Sequence, residues 1–354
     1  MSALFSPLEI REVLFKNRVF VSPMCQYSSE DGMPNDWHMV HLGSRAAGGA
    51  GLVIVEATSV SPAGRISPAD SGMWEDKHGQ AYRRITDFIK SQGSVPGIQL
   101  AHAGRKASTK IPWTGIGPLG AHEGAWETLA PSGIPFASSY PVPKEMSEKD
   151  ITDVIDQFRA AAQRGLAAGF EVVEVHMAHG YLLHQFLSPL TNKRKDAYGG
   201  GLRDRAKLPL EAAKAVREAW PKGLPVFVRI SATDWVEGGW DIGQSVQLAK
   251  WLKEIGIDLI DCSSGGLLPD AKIPAGPGFQ LRFSEAVRRE AKILTGGVGM
   301  IIEPLQAEQI IVSGLADAVI MARAFMRDAY WPLHAAQKLG VDIKWPNQYL
   351  RAKP

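Results

Sequence analysis

One rhythm constrains this chain more than anything else in it. Eight short, β-rich runs recur along the sequence, each followed by a stretch long enough for a helix. The runs are RVFVS (18–22), GLVIVEA (51–57), SVPGIQL (94–100), FEVVEVH (170–176), PVFVRI (225–230), IDLIDCS (257–263), KILTGG (292–297) and DAVIMA (317–322). Most are continuously apolar rather than alternating, as strands buried on both faces of a parallel sheet are. The stretches between them predict helices over about 36–48, 76–92, 147–168, 202–219, 243–255, 282–291, 303–313 and 332–339. The strongest is 147–168, where Ser147 stands three before Asp150 as a capping-box start and Gly169 ends the helix. Gly93, Gly256 and Gly314 each fall just before the next strand, where helix-terminating glycines belong. Eight such units predict an α/β fold, a (β/α)8 TIM barrel ahead of a doubly wound sheet.

One stretch breaks the rhythm. Residues 103–146 are rich in Gly, Pro and Ser and lie between the third strand and its helix. Loops of that length are usually functional lids or disordered, and the aromatic residues Trp113, Trp126, Phe136 and Tyr140 favour an ordered, lid-like insertion. The expected organisation is a single domain over 1–354, with that insertion and a C-terminal tail at 345–354.

Composition excludes several classes. Apolar residues make up 45% and charged residues 21%, which rules out intrinsic disorder. With 39 Lys+Arg against 37 Asp+Glu the net charge is +2, so no footprint for nucleic acid or an anionic membrane surface exists. Cys25 and Cys262 are the only cysteines, too few for a disulfide scaffold, an iron–sulfur cluster or a four-cysteine zinc site. Glu9, Arg11 and Glu12 interrupt any signal-peptide core. The longest apolar run, near Leu52–Val55, is far below the ~20 residues that cross a bilayer. A soluble, cytoplasmic protein is the expectation.

In a TIM barrel the chemistry sits at the C-terminal ends of the strands. Read in order, those ends carry Ser22-Pro23-Met24-Cys25, Ala57, Gln99 followed by His102, His176 with His179, Arg229, Ser263 to Gly266, Gly296-Gly297 and Arg323. The Gly-rich run from Thr295 to Gly299 together with Arg323 suits a phosphate cradle, a tight turn beside a surface arginine being the plainer reading. It is no Rossmann fingerprint, because Ile302 stands where the third glycine belongs. His176 and His179, beside Tyr181, fit either two zinc ligands or a neutral or cationic donor pair gripping one ligand oxygen. Arg229 ends a buried strand and needs an anion, and its own strand offers none. Cys25 reads equally as a small buried hydrophobe or a reactive thiol, whereas Cys262 reads as core.

Taken together, the motifs SPMCQYSSEDG, DWHMVHLG, EATSVSPAGR, QLAHAGRKAS, EVHMAHGYLLHQFLSP, VRISATDW and the final MARA resemble the old yellow enzyme family. The resemblance runs in order from about residue 3 to the end. Cys25-Gln26-Tyr27 and the QYLRA tail resemble its bacterial thermophilic-like branch, similar to xenobiotic reductases. It implies an ene-reductase using tightly bound, non-covalent FMN and transient NADPH, with NADH as the alternative donor. Its substrates would be activated alkenes: enones, enals, maleimides or nitroalkenes.

The resemblance also implies roles. Ser22, Pro23, Met24, Cys25 and Ala57 would line the isoalloxazine, Gln99 would bond its pyrimidine ring, and Arg229 would face N1. Gly296, Gly297, Ala322 and Arg323 would hold the phosphate. His176 and His179 would grip the substrate oxygen, Tyr181 would deliver a proton, Tyr27 would add a hydrogen bond and Cys25 would tune the flavin without a covalent intermediate. Tyr349 and Arg351 would reach a neighbouring subunit's site in a homodimer or homotetramer. The family usually has glycine at Ala322, and 103–146 departs from it after Lys106. The rival readings are a two-histidine metal hydrolase and a non-catalytic flavin-binding barrel.

Overall fold

The structure, a computed structural model, describes residues 2–354. Eight parallel strands close into a barrel: β1 Val19–Val21, β2 Leu52–Ser59, β3 Val95–Ala101, β4 Val172–Met177, β5 Val226–Ser231, β6 Leu259–Ser263, β7 Leu294–Gly297 and β8 Ala318–Met321. Around it run α1 Asp36–Ala47, α2 Asp76–Ser91, α3 Glu148–Ala167, α4 Lys207–Ala219, α5 Ile242–Ile255, α6 Leu281–Ala291, α7 Pro304–Val312 and α8 Trp331–Lys338. The (β/α)8 barrel expected from the rhythm is therefore the architecture found. On α3, Ile151, Val154, Phe158, Ala161, Ala162 and Gly165 form the buried stripe, and Ser147 caps it by accepting from the Asp150 N–H. No helix among the described residues is long and apolar enough to cross a membrane.

Alternate residues of a strand face opposite ways, so each strand sends a short column of side chains into the barrel. The lower ends of these columns are apolar: Phe20, Leu52, Ile54, Val95, Val172, Phe227, Leu259, Ala318 and Ile320 form one buried cluster. Further along the same strands, four residues beyond Val95 and two beyond the others, the columns turn polar, with Ser22, Gln99, Glu174, Arg229 and Asp261 all buried. Higher still come His176, Ser231 and Ser263. On β2 the register slips between Val55 and Ala57. That irregularity turns Glu56 out to His38 on α1, at 3.0 Å, and leaves Ala57 at the mouth.

A hairpin that the strand rhythm did not reveal, Leu8–Ile10 with Val13–Phe15, covers the lower end of the barrel. Its strands are too short to stand out in a hydrophobicity pattern. Phe15 stacks on Phe20 at 5.0 Å and on Phe227 at 6.4 Å between ring centroids, so it plugs the floor. Short helices at Leu182–Leu187 and Arg323–Arg327 were also unforeseen, each lying just past a strand end.

The segment 103–146 is tied down at several points. It carries a two-strand pair, Leu129–Ala130 with Lys144–Glu145. Trp126 donates to the Ala63 carbonyl at 3.0 Å, and Arg194 donates to the carbonyls of Pro131 (3.1 Å) and Met146 (2.6 Å). Phe136 and Tyr140 pack edge to face. Trp113 is no anchor: it stays 68% exposed and touches the rest of the chain at the Tyr27 ring edge. Because Phe15 is fully buried, Phe15→Ala is expected to destabilise the fold by about 3–5 kcal/mol. Urea unfolding would read this as a lowered midpoint, and an unchanged midpoint would show that the hairpin does not seal the barrel.

Candidate active site

The upper ends of β4, β5 and β6 bring the sequence-expected residues together. His176 ends the inward column of β4, and its ring lies edge to face with both His179 and Tyr181, 5.1 Å between centroids in each case. The loop between them is forced: His179 has φ +58° and Gly180 φ +73°. A Cβ on Gly180 would stand 2.2 Å from the Gly266 carbonyl oxygen, so only glycine lets the two loops meet. The strained His179 backbone is held from both ends. Its N–H donates to Ser231 Oγ at 2.8 Å, and its carbonyl accepts from Lys106 Nζ at 2.8 Å. Lys106 also donates to Gly266 O and stands 5.0 Å over the Tyr181 ring.

Burial sets the protonation of this cluster. The His176 imidazole is held well below its ordinary range by burial first and by the Arg229 charge second. His179 is lowered in the same way. Both shifts favour neutral rings at neutral pH, the neutral of the two donor forms. The Ala178 N–H donates to His176 Nδ1 at 3.3 Å, so the His176 proton is assigned to Nε2. His179 Nε2 lies 2.7 Å from Ser263 Oγ. The Tyr181 hydroxyl is pushed well up by burial, with Cys25 and Tyr27 adding to the effect, so it keeps its proton.

On the opposite side, Cys25 and Tyr27 lie in a loop shaped by Glu56, which accepts from the Gln26 N–H at 2.7 Å. Burial, and then the carboxylates Asp70 and Glu56, raise the Cys25 thiol well above its normal range. A thiol kept protonated is a poor nucleophile, so the reactive-thiol reading is disfavoured. Cys262 is buried core. His102, also at a strand end, is turned inward, where its Nδ1 accepts from the Gly104 N–H at 3.1 Å, and burial lowers it to about 4.

The structure shows where the remaining expected residues lie. Arg229 does have a partner: Asp261, opposite it on β6, lies 3.1 Å from Nε, while Nη2 donates to Ser22 Oγ at 3.1 Å. The anion was missed because it comes from the next strand. At Gly296 a Cβ would strike Ile320, and at Gly297 one would strike Leu281 and Ala316, so packing also requires both glycines. The cradle-like cavity just beyond them, about 350 Å3, is lined by Val298–Ile302, Gln280 and Ala322–Ala324 with Arg323 and Arg327. Tyr349 and Arg351 do not approach their own chain's site. Tyr349 stacks on Tyr330, and the neighbouring Asn347 and Gln348 line a cavity with Lys16 and Gln92 at the strands' N-terminal ends. At Ala322 φ is −107°, outside the left-handed region that would demand glycine.

Lys106, Glu174, Asp261, Ser231 and Ser263 belong to the site although the sequence reading gave them no role. Parity marks most of them: Glu174 stands two before His176, Asp261 two before Ser263, and Ser231 two after Arg229, each pair facing one way. Among the described residues no three His, Cys, Asp or Glu side chains cluster as a metal site requires.

An open-topped barrel mouth with a cation on its floor, neutral donors on one wall and an arginine-lined cavity alongside suits a flat, anionic, phosphate-bearing ligand. The comparisons agree with that geometry. Residues 3–342 match the NADH:flavin oxidoreductase / NADH oxidase family. The chain belongs to that family. The NADPH dehydrogenase of Geobacillus sp. (strain WCH70) is 47% identical over 350 residues, covering 98% of each chain. That of Bacillus licheniformis is 46% identical over 351 residues, covering 99% of this chain and 98% of the relative. Among solved structures, morphinone reductase superposes with a TM-score of 0.79 at 26% identity, over 98% of this chain and 92% of that one. An old yellow enzyme homologue from Zymomonas mobilis gives 0.81 at 24% identity, over 99% of each chain.

This family member is thus an old yellow enzyme-type oxidoreductase, with FMN as cofactor and a nicotinamide dinucleotide as electron donor. The residues present fit FMN: Arg229 supplies the floor cation, and the cavity beside Arg323 can take a phosphate. Histidine nitrogen NMR is expected to show the His176 and His179 rings neutral and untitrated from pH 8 down to 5. Titration of either ring near 6.5 would show that burial does not keep them neutral.

Proposed function

We propose that the enzyme is an ene-reductase acting on small activated alkenes, with the enone, enal, maleimide and nitroalkene classes as substrates. The observation that carries this reading is the convergence of two neutral histidines and one protonated tyrosine on the barrel mouth above Arg229. Bound FMN supplies the passage of a hydride from NADPH to the alkene β-carbon. The protein's own groups do the rest. N–H donors of His176 and His179 bind the carbonyl or nitro oxygen, which gains negative charge as the β-carbon is reduced, and that differential stabilisation lowers the barrier. For His179 this requires Ser263 to donate its hydroxyl hydrogen to Nε2, leaving Nδ1–H for the substrate. Tyr181 gives its phenolic proton to the α-carbon, a role that its buried, protonated state favours. Tyr27 adds a hydrogen bond to the substrate, and Cys25 remains a neutral thiol against the flavin.

In this reading Ser22, Pro23, Met24, Cys25 and Ala57 line the flavin ring. Gln99 gives its amide N–H to Glu174 at 2.7 Å, which leaves its carbonyl oxygen for the pyrimidine N–H. Arg229 offers positive charge where the reduced ring is negative. Arg323 and the backbone of 298–302 hold the phosphate, in the position after strands seven and eight where barrels commonly bind one. Nicotinamide and alkene then share one place in turn, so ping-pong kinetics follow.

Tyr349 and Arg351 act in a neighbouring copy's site. In support, both lie in an exposed segment, Asn347–Ala352, that leaves its own site untouched. The enzyme is then a homodimer or homotetramer. Arg351→Ala should raise the KM for an enone in that oligomer, whereas a monomer by light scattering would end the shared-site reading.

The decisive test of the reaction is spectroscopic and anaerobic. FMN absorbance should bleach with NADPH and return with cyclohexenone. His176→Ala/His179→Ala should keep FMN bound while the return slows at least ~100-fold, the scale of a lost oxyanion donor. An unchanged rate would remove both histidines from the mechanism.

A further inference from the structure

Beneath the mouth lies a cluster that the reaction as described does not use. Glu174 on β4 and Asp261 on β6 are both fully buried, on the two strands that flank β5 and its Arg229. In a barrel, alternate strands contribute side chains to the same interior layer, so the two carboxyls face each other across the column of Phe227 and Arg229. Gln99 satisfies one oxygen of Glu174 at 2.7 Å. Glu174 Oε2 and both oxygens of Asp261 receive no hydrogen bond at proper geometry, because Arg229 Nε lies 3.1 Å from Asp261 Oδ2 but out of line. Two ionised carboxylates there would leave three buried oxygens without donors and a net charge of −1, a costly arrangement. No other strand relieves it. The neighbouring columns present Ser22, Ile54, Ala57, Gly296 and Ile320, all uncharged, and His176 above Glu174 is held neutral.

We infer that Glu174 and Asp261 share one proton, which keeps the trio Glu174, Asp261 and Arg229 neutral and makes the two carboxyls positioning residues for the flavin's reduction potential. The shared O–H supplies the missing donor, from one carboxyl to the other. Like-charged carboxyls in contact do hold one proton in common. Consistently, burial and then the Asp261 charge push the Glu174 carboxyl up to about 8, against the opposing pull of Arg229. Burial likewise raises Asp261. The effect on FMN rests on the placement of the flavin over Arg229 proposed above. Neutrality at the floor tempers the arginine's field on the ring. When the pair loses its proton at alkaline pH, the trio becomes −1 and the flavin becomes harder to reduce.

Two measurements on the FMN-loaded enzyme test this. With 13C at the side-chain carboxyls of Glu and Asp, infrared spectra at pH 7 should contain a protonated-acid C=O band that is missing in Glu174→Gln. Its absence from the wild type overturns proton sharing, whatever the position of the flavin. Spectroscopic redox titration supplies the second readout. Glu174→Gln exchanges a neutral acid for a neutral amide, so its potential at pH 7 should match the wild type while the extra fall above about pH 8 disappears. A potential raised at pH 7 in Glu174→Gln would mean that both carboxyls are ionised, and would overturn the proposal. Glu174→Gln/Asp261→Asn leaves Arg229 uncompensated and should raise the potential. A potential equal to that of Glu174→Gln would overturn instead the placement of flavin over Arg229, even with the infrared band in place.

Discussion

Closure of the barrel is the constraint on which everything else depends. Eight closed strands leave an interior just wide enough for side chains, so each strand controls only two or three inward positions. In this chain the lower positions are spent on apolar packing from Phe20, Leu52, Val95, Val172, Phe227 and Leu259, plugged from below by Phe15. What remains is a single polar tier, from Ser22 round to Asp261, and above it the mouth. Because both tiers sit on the same rigid strands, His176 is fixed in relation to Arg229 by the register of β4 against β5, where they are direct neighbours. The geometry of the site is a consequence of strand pairing more than of loop design.

That same logic explains what was legible in the sequence. Buried parallel strands are continuous apolar runs, so all eight were visible, and polar residues at their C-terminal ends stood out as the site. Glu174 and Asp261 were equally visible as charges inside apolar runs, yet their pairing with Arg229 is a contact between strands. It depends on register, which no single run contains. Lys106 was hidden for another reason: it follows β3 in an irregular segment and acts through two loop carbonyls, His179 O and Gly266 O. The glycines at 296 and 297 carry an ambiguity of their own. Gly-rich turns near a phosphate site and glycines needed for packing look alike until the neighbours Ile320 and Leu281 are known.

Burial then does chemical work in opposite senses within a few ångströms. It removes charge from His176 and His179, leaving N–H groups that can donate to an oxygen without adding a competing cation, and it keeps the proton on Tyr181. A neutral N–H donor also bonds more strongly as the oxygen becomes anionic, and it does so without a further buried charge to balance. The serines Ser231 and Ser263 matter because they fix the His179 backbone and ring without carrying charge. Of the cations at the mouth, Arg229 faces the floor and Lys106 is turned towards carbonyl oxygens.

The floor of the site follows from the need to bury a guanidinium. A lone Arg229 would be too costly to bury and would hold any anionic flavin state strongly. Asp261 alone would cancel it and fix the field at one value. A second carboxyl, Glu174, adds a proton that can be released, so the same three side chains give a neutral floor at neutral pH and a negative one in alkali. Gln99, by bonding Glu174, connects that proton to the side chain proposed to meet the flavin ring. The acid pair is thus the means by which a fully enclosed barrel layer, without access to solvent ions, balances a charge that the chemistry above it requires.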